Sequence, residues 1–225
     1  SKEVIVRFDQ EISFIKEPVI SPYFVWSKLY TQVHLALVEQ QNPDKTVSIG
    51  VSFPAYHYVE NEDGGYGTLG DKLRVFANSE QELERLNLQK WLNRLADYVH
   101  IKSIQPVPEN ATSYLVVKRY RAVTNMERIT RRFMRRESKR TGREISFEEA
   151  KALQNQRFAK DGVSSKEAER HYQNPKVKDF PFVKLKSEST QKEFSLQIEQ
   201  VEAEQFCQGT FSTYGLSARS TVPHW

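Results

Sequence analysis

The sequence predicts an α+β protein. Short runs rich in β-branched and aromatic residues recur along it, amphipathic stretches at helical spacing separate them, and helix-capping pairs open several of those stretches. At 225 residues the chain fits one large domain or two small ones, with enough length for a real core. Apolar residues make up 38% and charged residues 28%, and no apolar run approaches the ~18–20 residues that span a bilayer, which excludes an integral membrane protein built of helices. The first residues, SKEVIVRFDQE, carry charges where a secretory signal would be apolar. A single cysteine, Cys207, excludes an internal disulfide framework and a multi-cysteine zinc site. A cytoplasmic protein is the expectation.

Residues 3–8 (EVIVRF) form the first strand candidate. A helix follows over 22–40, where Pro22 suits a first turn and Trp26, Tyr30, Val33 and Leu37 recur at helical spacing. Residues 46–53 (TVSIGVSF) read as a second strand, and 60–71, with Gly64, Gly65, Gly67 and Gly70, as a mobile loop. A third strand at 72–77 (KLRVFA) leads to a helix over 80–99, opened by the capping-box pair Ser79 and Glu82. A fourth strand covers 101–107 (IKSIQPV). The order β-α-β-β-α-β is that of a ferredoxin-like (βαββαβ) domain, assigned to 1–110. Pro106 and Pro108 mark its junction with a smaller α/β domain over 111–225. That domain opens with a strand at 113–123 (SYLVVKRYRAV) and continues into an arginine-rich helix, before which Thr124 and Glu127 have capping spacing. Helices at 147–160, capped by Ser146 with Glu149, and at 164–173 come next, then strands at 181–187 and 193–201.

Charge is concentrated in one place. The segment 118–143 holds eleven basic residues against two acids, a net +9, which leaves the rest of the +4 chain at −5. On a helix, Arg128, Arg132, Arg135, Arg136 and Lys139 share one broad face, while Met126, Ile129 and Phe133 fall on another. Crowded cations repel one another, and polyanionic phosphate relieves that repulsion. An anionic membrane would instead require large apolar residues opposite the charges. Of the third strand's residues only Phe76 could stack a base, so nucleic acid is expected on the arginine helix and not on the sheet.

Three smaller constellations accompany it. His34 sits on the first helix among Tyr30, Leu37 and Val38; by itself such a histidine reads as structural. The other histidines, at 57, 100, 171 and 224, lack metal-ligand spacing, and the glycines at 64–70 lack the order of a phosphate loop, so neither metal nor cofactor is expected. In 185–194 (LKSESTQKEF), Ser187, Ser189 and Thr190 crowd three hydroxyls together, and Ser187 continues the side of Val183 and Leu185. Near the C-terminal end, FSTYGLS (211–217) sets Tyr214 beside Gly215.

Several of these stretches together resemble the CRISPR repeat-processing endoribonucleases of type I-F systems. They are VHLALVEQ (33–40), IGVSFP (49–54), RYRAVTNMERITRRFMRR (119–136), FPFVKLKSESTQKEF (180–194) and TYGLS (213–217), in the family's order. The resemblance implies an N-terminal ferredoxin-like domain and an arginine helix lying in the major groove of a short RNA hairpin. It implies cleavage at the 3′ foot of the stem, without metal, by the RNA's own 2′-hydroxyl. The products are a 2′,3′-cyclic phosphate and a 5′-hydroxyl, and the enzyme keeps its product as a subunit of the type I-F surveillance complex. His34 matches the family's catalytic histidine, Ser187 the serine that holds the ribose, and Tyr214 the tyrosine beside the histidine. Ser189 and Thr190 match neighbours of the scissile linkage, Phe194 an aromatic beneath the lowest base pair, and Arg119 an arginine that reads guanine. RNA contact falls to Arg128, Arg131, Arg132, Arg135 and Arg136 of the helix. There are two departures: Arg121 stands where the family has a base-reading glutamine, and 140–178 is longer than the family leads one to expect. The rival readings are a non-catalytic subunit that caps an RNA hairpin and an RNA-binding protein with no CRISPR role; His34, Ser187 and Tyr214 favour the enzyme.

Overall fold

The computed structural model describes residues 8–16, 19–122, 125–173 and 178–225, and shows a mixed α/β protein. Contacts divide it into two units, one made of residues 1–120 and 179–225 and the other of 121–178. The expected boundary at 110 is not where this division falls. Strand β8 (Ser113–Tyr120) pairs with β10 (Glu193–Ala203), and β10 with β9 (Phe182–Lys186), so the strands on both sides of 121–178 share one sheet. Tyr120 and Phe182 both lie opposite Gln197 of β10.

The first unit contains two principal sheets. One has the order β2-β5-β1-β6, from β1 (Phe8–Phe14), β2 (Gly50–Ser52), β5 (Lys72–Ala77) and β6 (Val99–Ile101), with β7 (Gln105–Pro106) also paired to β1. All its pairings are antiparallel. The expected strand at 3–8 lies, except for Phe8, outside the described residues. The second sheet has the order β11-β8-β10-β9, β11 being Val222–His224. Helix α1 (Pro22–Glu39) starts where the Ser21 side chain accepts the Tyr23 N–H and Pro22, having no N–H, needs no acceptor. Its Leu29, Tyr30, Val33 and Leu37 are fully buried, and each aliphatic one contributes ~1.5–3 kcal/mol. The Gln200 amide accepts from Phe53 N at 2.9 Å and donates to Phe53 O at 3.0 Å, standing in for a strand partner at the end of β2.

The expected loop at 60–71 is instead part of a hairpin, β3 (His57–Val59) with β4 (Tyr66–Thr68). Its turn is held by the Asn61 carboxamide oxygen, which accepts from Gly65 N at 2.7 Å. The helix expected over 80–99 stops early. Asn87, at φ 49°, ends α2 (Glu80–Leu86) and its side chain caps α3 (Leu88–Trp91), which a 3-10 turn at Asn93–Leu95 follows. The expected strand 46–53 is reduced to β2 plus a bridge from Val47 to Phe211, and that at 101–107 splits into β6 and β7. The strand expected over 113–123 ends at Tyr120, so Arg121 lies beyond the ladder that would fix its side chain parallel to that of Arg119.

The second unit is helical: α4 (Met126–Thr141), α5 (Phe147–Lys160) and α6 (Ser165–Gln173). Asn125 caps α4, and Thr124, expected in that role, lies outside the described residues. Ser146 caps α5 as expected. Buried polar groups join α4 to α5. The Thr130 hydroxyl donates to Gln154 at 2.8 Å, and buried Glu137 receives Arg140 at 2.7 Å and Arg157 at 2.8 Å.

Candidate active site

Within the first unit, one face of the second sheet is apolar: Leu115 and Val117 on β8, Leu196 and Ile198 on β10, Val183 and Leu185 on β9. Alternation along each strand continues that face into Arg119, Phe194 and Ser187. The buried face therefore ends in a guanidinium, an aromatic ring and a hydroxyl. Arg119 lies over the Phe194 ring, 5.4 Å from its centroid.

His34, on α1, is half-buried, and its ring stacks on Tyr214 at 4.0 Å between centroids and 5° between planes. The segment bearing Tyr214 is tied down on several sides. Tyr30 donates to Tyr214 O at 2.6 Å, Val51 N to Gly215 O at 3.0 Å, and Ser217 N to Val117 O at 3.0 Å. Gly215 has φ 71°, and a Cβ there would meet Val51 at 2.6 Å, so the turn that presents Tyr214 requires glycine.

His34 Nδ1 is 2.8 Å from Thr213 O. A carbonyl only accepts, so the neutral ring carries its proton on Nδ1 and keeps the lone pair on Nε2. Burial holds the imidazole below its ordinary 6.5, against the Thr213 hydrogen bond and the charge of Glu188, which both act upward. At neutral pH the ring is thus an uncharged base. Burial raises the Tyr214 phenol, opposed by the Arg119 charge. These two relations tie Arg119 and Glu188 electrostatically to the His34–Tyr214 pair.

Ser187 opens the turn between β9 and β10. Its N–H donates to Lys192 O at 2.9 Å, its carbonyl accepts from Gln191 N at 2.8 Å, and its hydroxyl accepts from Thr190 N at 3.3 Å and lies 3.3 Å from Ser189 Oγ. Ser187 is half-buried, whereas Ser189 and Thr190 are exposed. Two contributors escaped the reading of the sequence. The Thr213 carbonyl is a backbone group with no residue signature. Glu188 stood inside the hydroxyl cluster, and its charge beside three hydroxyls was the available signal. Among the described residues, no three of the His, Cys, Asp and Glu side chains gather as a metal site would require.

The helical unit carries the cations. Arg128, Arg131, Arg132, Arg135 and Arg136 are all exposed along α4, whereas Met126, Ile129 and Phe133 are half-buried. Arg131 is paired with Glu127 at 2.8 Å; Arg128, Arg132 and Arg136 have no ion pair among the described residues. Arg121 belongs to this unit and is exposed.

The family model described as CRISPR-associated protein (Cas_Csy4) matches residues 10–225. The chain is 33% identical over 217 residues to the CRISPR-associated endonuclease Cas6/Csy4 of Pseudomonas aeruginosa (strain UCBPP-PA14), covering 95% of this chain and 96% of that protein. It is 28% identical over 214 residues to the protein of the same name from Escherichia coli (strain UTI89 / UPEC), again covering 95% and 96%. A solved structure described as "An RAMP protein binding different RNA substrates" aligns at 12% identity over 98% of this chain and 100% of its own, with a TM-score of 0.34.

Proposed function

The chain belongs to the CRISPR-associated protein family Cas_Csy4, and from that membership we propose that it is the endoribonuclease that matures CRISPR RNA. It binds the hairpin of the repeat, cuts at the 3′ foot of the stem and keeps the product within a type I-F surveillance complex. The sheet order β2-β5-β1-β6 supports reading the N-terminal part as ferredoxin-like.

The single observation that carries the chemistry is the His34 hydrogen bond to Thr213 O, with the ring stacked on Tyr214. It leaves Nε2 as a neutral base. His34 removes the proton from the 2′-hydroxyl before the cut. The freed O2′ bonds to the adjacent phosphorus, the P–O5′ bond breaks, and the leaving O5′ takes up a proton. The products are a 2′,3′-cyclic phosphate and a 5′-hydroxyl, with no metal needed to generate the nucleophile. Ser187, with Ser189 and Thr190, holds the ribose and scissile linkage. Tyr214 fixes the plane of the imidazole. Arg119 and Phe194 meet the lowest base pair, and Arg121 and the arginines of α4 meet the stem.

The test uses the repeat hairpin of the host genome in excess chelator. Cleavage is expected to proceed unchanged, and replacing the 2′-hydroxyl before the cut by hydrogen to stop it while leaving binding intact. His34→Ala slows cleavage ~10²–10⁴-fold with hairpin affinity retained. Arg132→Ala or Arg136→Ala does the reverse, weakening binding and reducing the salt slope by about one. A strict magnesium requirement, or equal loss of binding in all three variants, would refute the mechanism.

A further inference from the structure

β9 is the edge strand of its sheet. From β8 through β10 to the end of β9, the order of strands sets Arg119 and Phe194 on one face in a diagonal line that Ser187, the first residue after β9, continues, at steps of ~4.8 Å across the sheet. Beyond the β9 edge lies a cleft of about 730 Å³. Its walls are the outer side of α1 from Ser27 to Glu39, β9 with Glu188 of its turn, and α3 with the 3-10 turn after it. The Ser27 hydroxyl donates to Lys184 O at 2.7 Å and joins α1 to that edge. Glu188 follows Ser187 directly, so the cleft adjoins the turn that carries the Ser187 hydroxyl, and the Glu188 charge also acts on His34.

The lining has a definite chemistry. Lys28, Lys90, Arg94, Lys184 and Lys186 converge on the cleft. None of them is ion-paired among the described residues, although Lys186 faces Glu193 across the β9–β10 ladder. Glu39, Glu188 and Glu193 share the space, which leaves two positive charges in excess. Half-buried Trp91 adds an aromatic ring on which a base can stack. Unpaired cations with one aromatic face, in a groove, suit a single nucleic-acid strand: phosphates relieve the repulsion and a base covers the ring. A double-helical stem offers no free base.

We infer that this cleft holds the single-stranded RNA that continues 3′ of the cut, an inference that rests on the reading of His34 and Ser187 given above. With the foot of the stem at Arg119 and Phe194 and the scissile linkage at Ser187, the strand beyond the cut leaves over the β9 edge into the cleft. Lys90, Arg94 and Lys28 then grip its phosphates, and the scissile linkage is held from both sides.

The experiment measures binding and cleavage of the repeat hairpin ending one nucleotide after the cut, the tailless form, and of the same hairpin extended by a short oligouridine tail, using a 2′-deoxy nucleotide before the cut for binding. The tail is expected to tighten binding and to steepen the log–log salt dependence by ~2, about 0.7 for each of three phosphates on a single strand. Lys28→Ala/Lys90→Ala/Arg94→Ala removes that advantage and leaves affinity for the tailless hairpin as in the wild type. Lys90→Arg/Arg94→Lys retains it. A wild type indifferent to the tail, or a charge-deleted variant that loses tailless and tailed hairpins alike, overturns the inference while the nuclease reading stands. A chain that neither binds nor cuts the tailless hairpin overturns both.

Discussion

His34 shows how a backbone partner selects a protonation state. The carbonyl of Thr213 fixes the proton on Nδ1, and burial keeps the ring from gaining a second one until the pH falls below 6.5. An NMR titration of the imidazole in the free protein should have its midpoint below 6.5. Glu188→Gln should lower that midpoint further, because the carboxylate acts upward on it. A midpoint above 6.5, or an upward move in the variant, would contradict this electrostatic account. The sign for stability follows. Below pH 6.5 the unfolded chain binds a proton that the folded site still refuses, so the histidine works against folding there and is neutral above. By residue pattern alone His34 was visible only as one polar residue on an apolar helix side, and it was the family resemblance that singled it out. Its partner was not visible, since any residue at 213 offers the same carbonyl. Ser187 was better marked, because strand alternation from Val183 and Leu185 led directly to it.

Among the elements, α4 divides its arginines between two tasks. Arg140 and, from α5, Arg157 satisfy buried Glu137, while Arg128, Arg132 and Arg136 stand exposed with no ion pair among the described residues. The Arg140 hydrogen bond holds the Glu137 carboxyl below its usual 4.5, so this contribution is complete above that pH and is lost as the pH falls through the lowered value. Glu137→Gln should therefore melt the helical signal of 121–178 at lower temperature at neutral pH, with the difference from wild type shrinking on acidification. Arg132→Ala should leave that melting unchanged. Circular dichroism across a pH series decides between them, and equal melting of Glu137→Gln and wild type at neutral pH would mean the contact is idle. The elements most legible in the sequence were those with a local signal. Strand 72–77 and helix 147–160 stand where the run KLRVFA, with its Val75 and Phe76, and a serine cap placed them. Helix 80–99 broke because Asn87 takes a left-handed conformation that its good helix-forming neighbours gave no hint of. The hairpin at 57–68 was hidden by glycines that read as looseness but supply positive φ at Gly64 and Gly65 in its turn.

For the whole molecule, the boundary at 110 rested on two prolines, whereas the observed division depends on pairing between β8 and strands more than sixty residues away in sequence. Such pairing leaves no local mark. Replacing 121–178 by a short Gly/Ser linker should give a chain that folds with both principal sheets intact and His34 still shielded from solvent, yet lacks the arginines of α4. The imidazole titration of His34 reports the first property and hairpin binding the second. An unfolded product would show that the sheets need the inserted helices. The linker has little to span, because Tyr120 and Phe182 flank Gln197 on either side, roughly 10 Å apart at the strand spacing. Two seams that close together make the helical segment an exchangeable cassette. Natural variation or a protein engineer can lengthen, shorten or swap it by closing the same small gap, and so change the arginine-bearing helices without redrawing the sheets or the His34–Tyr214 stack.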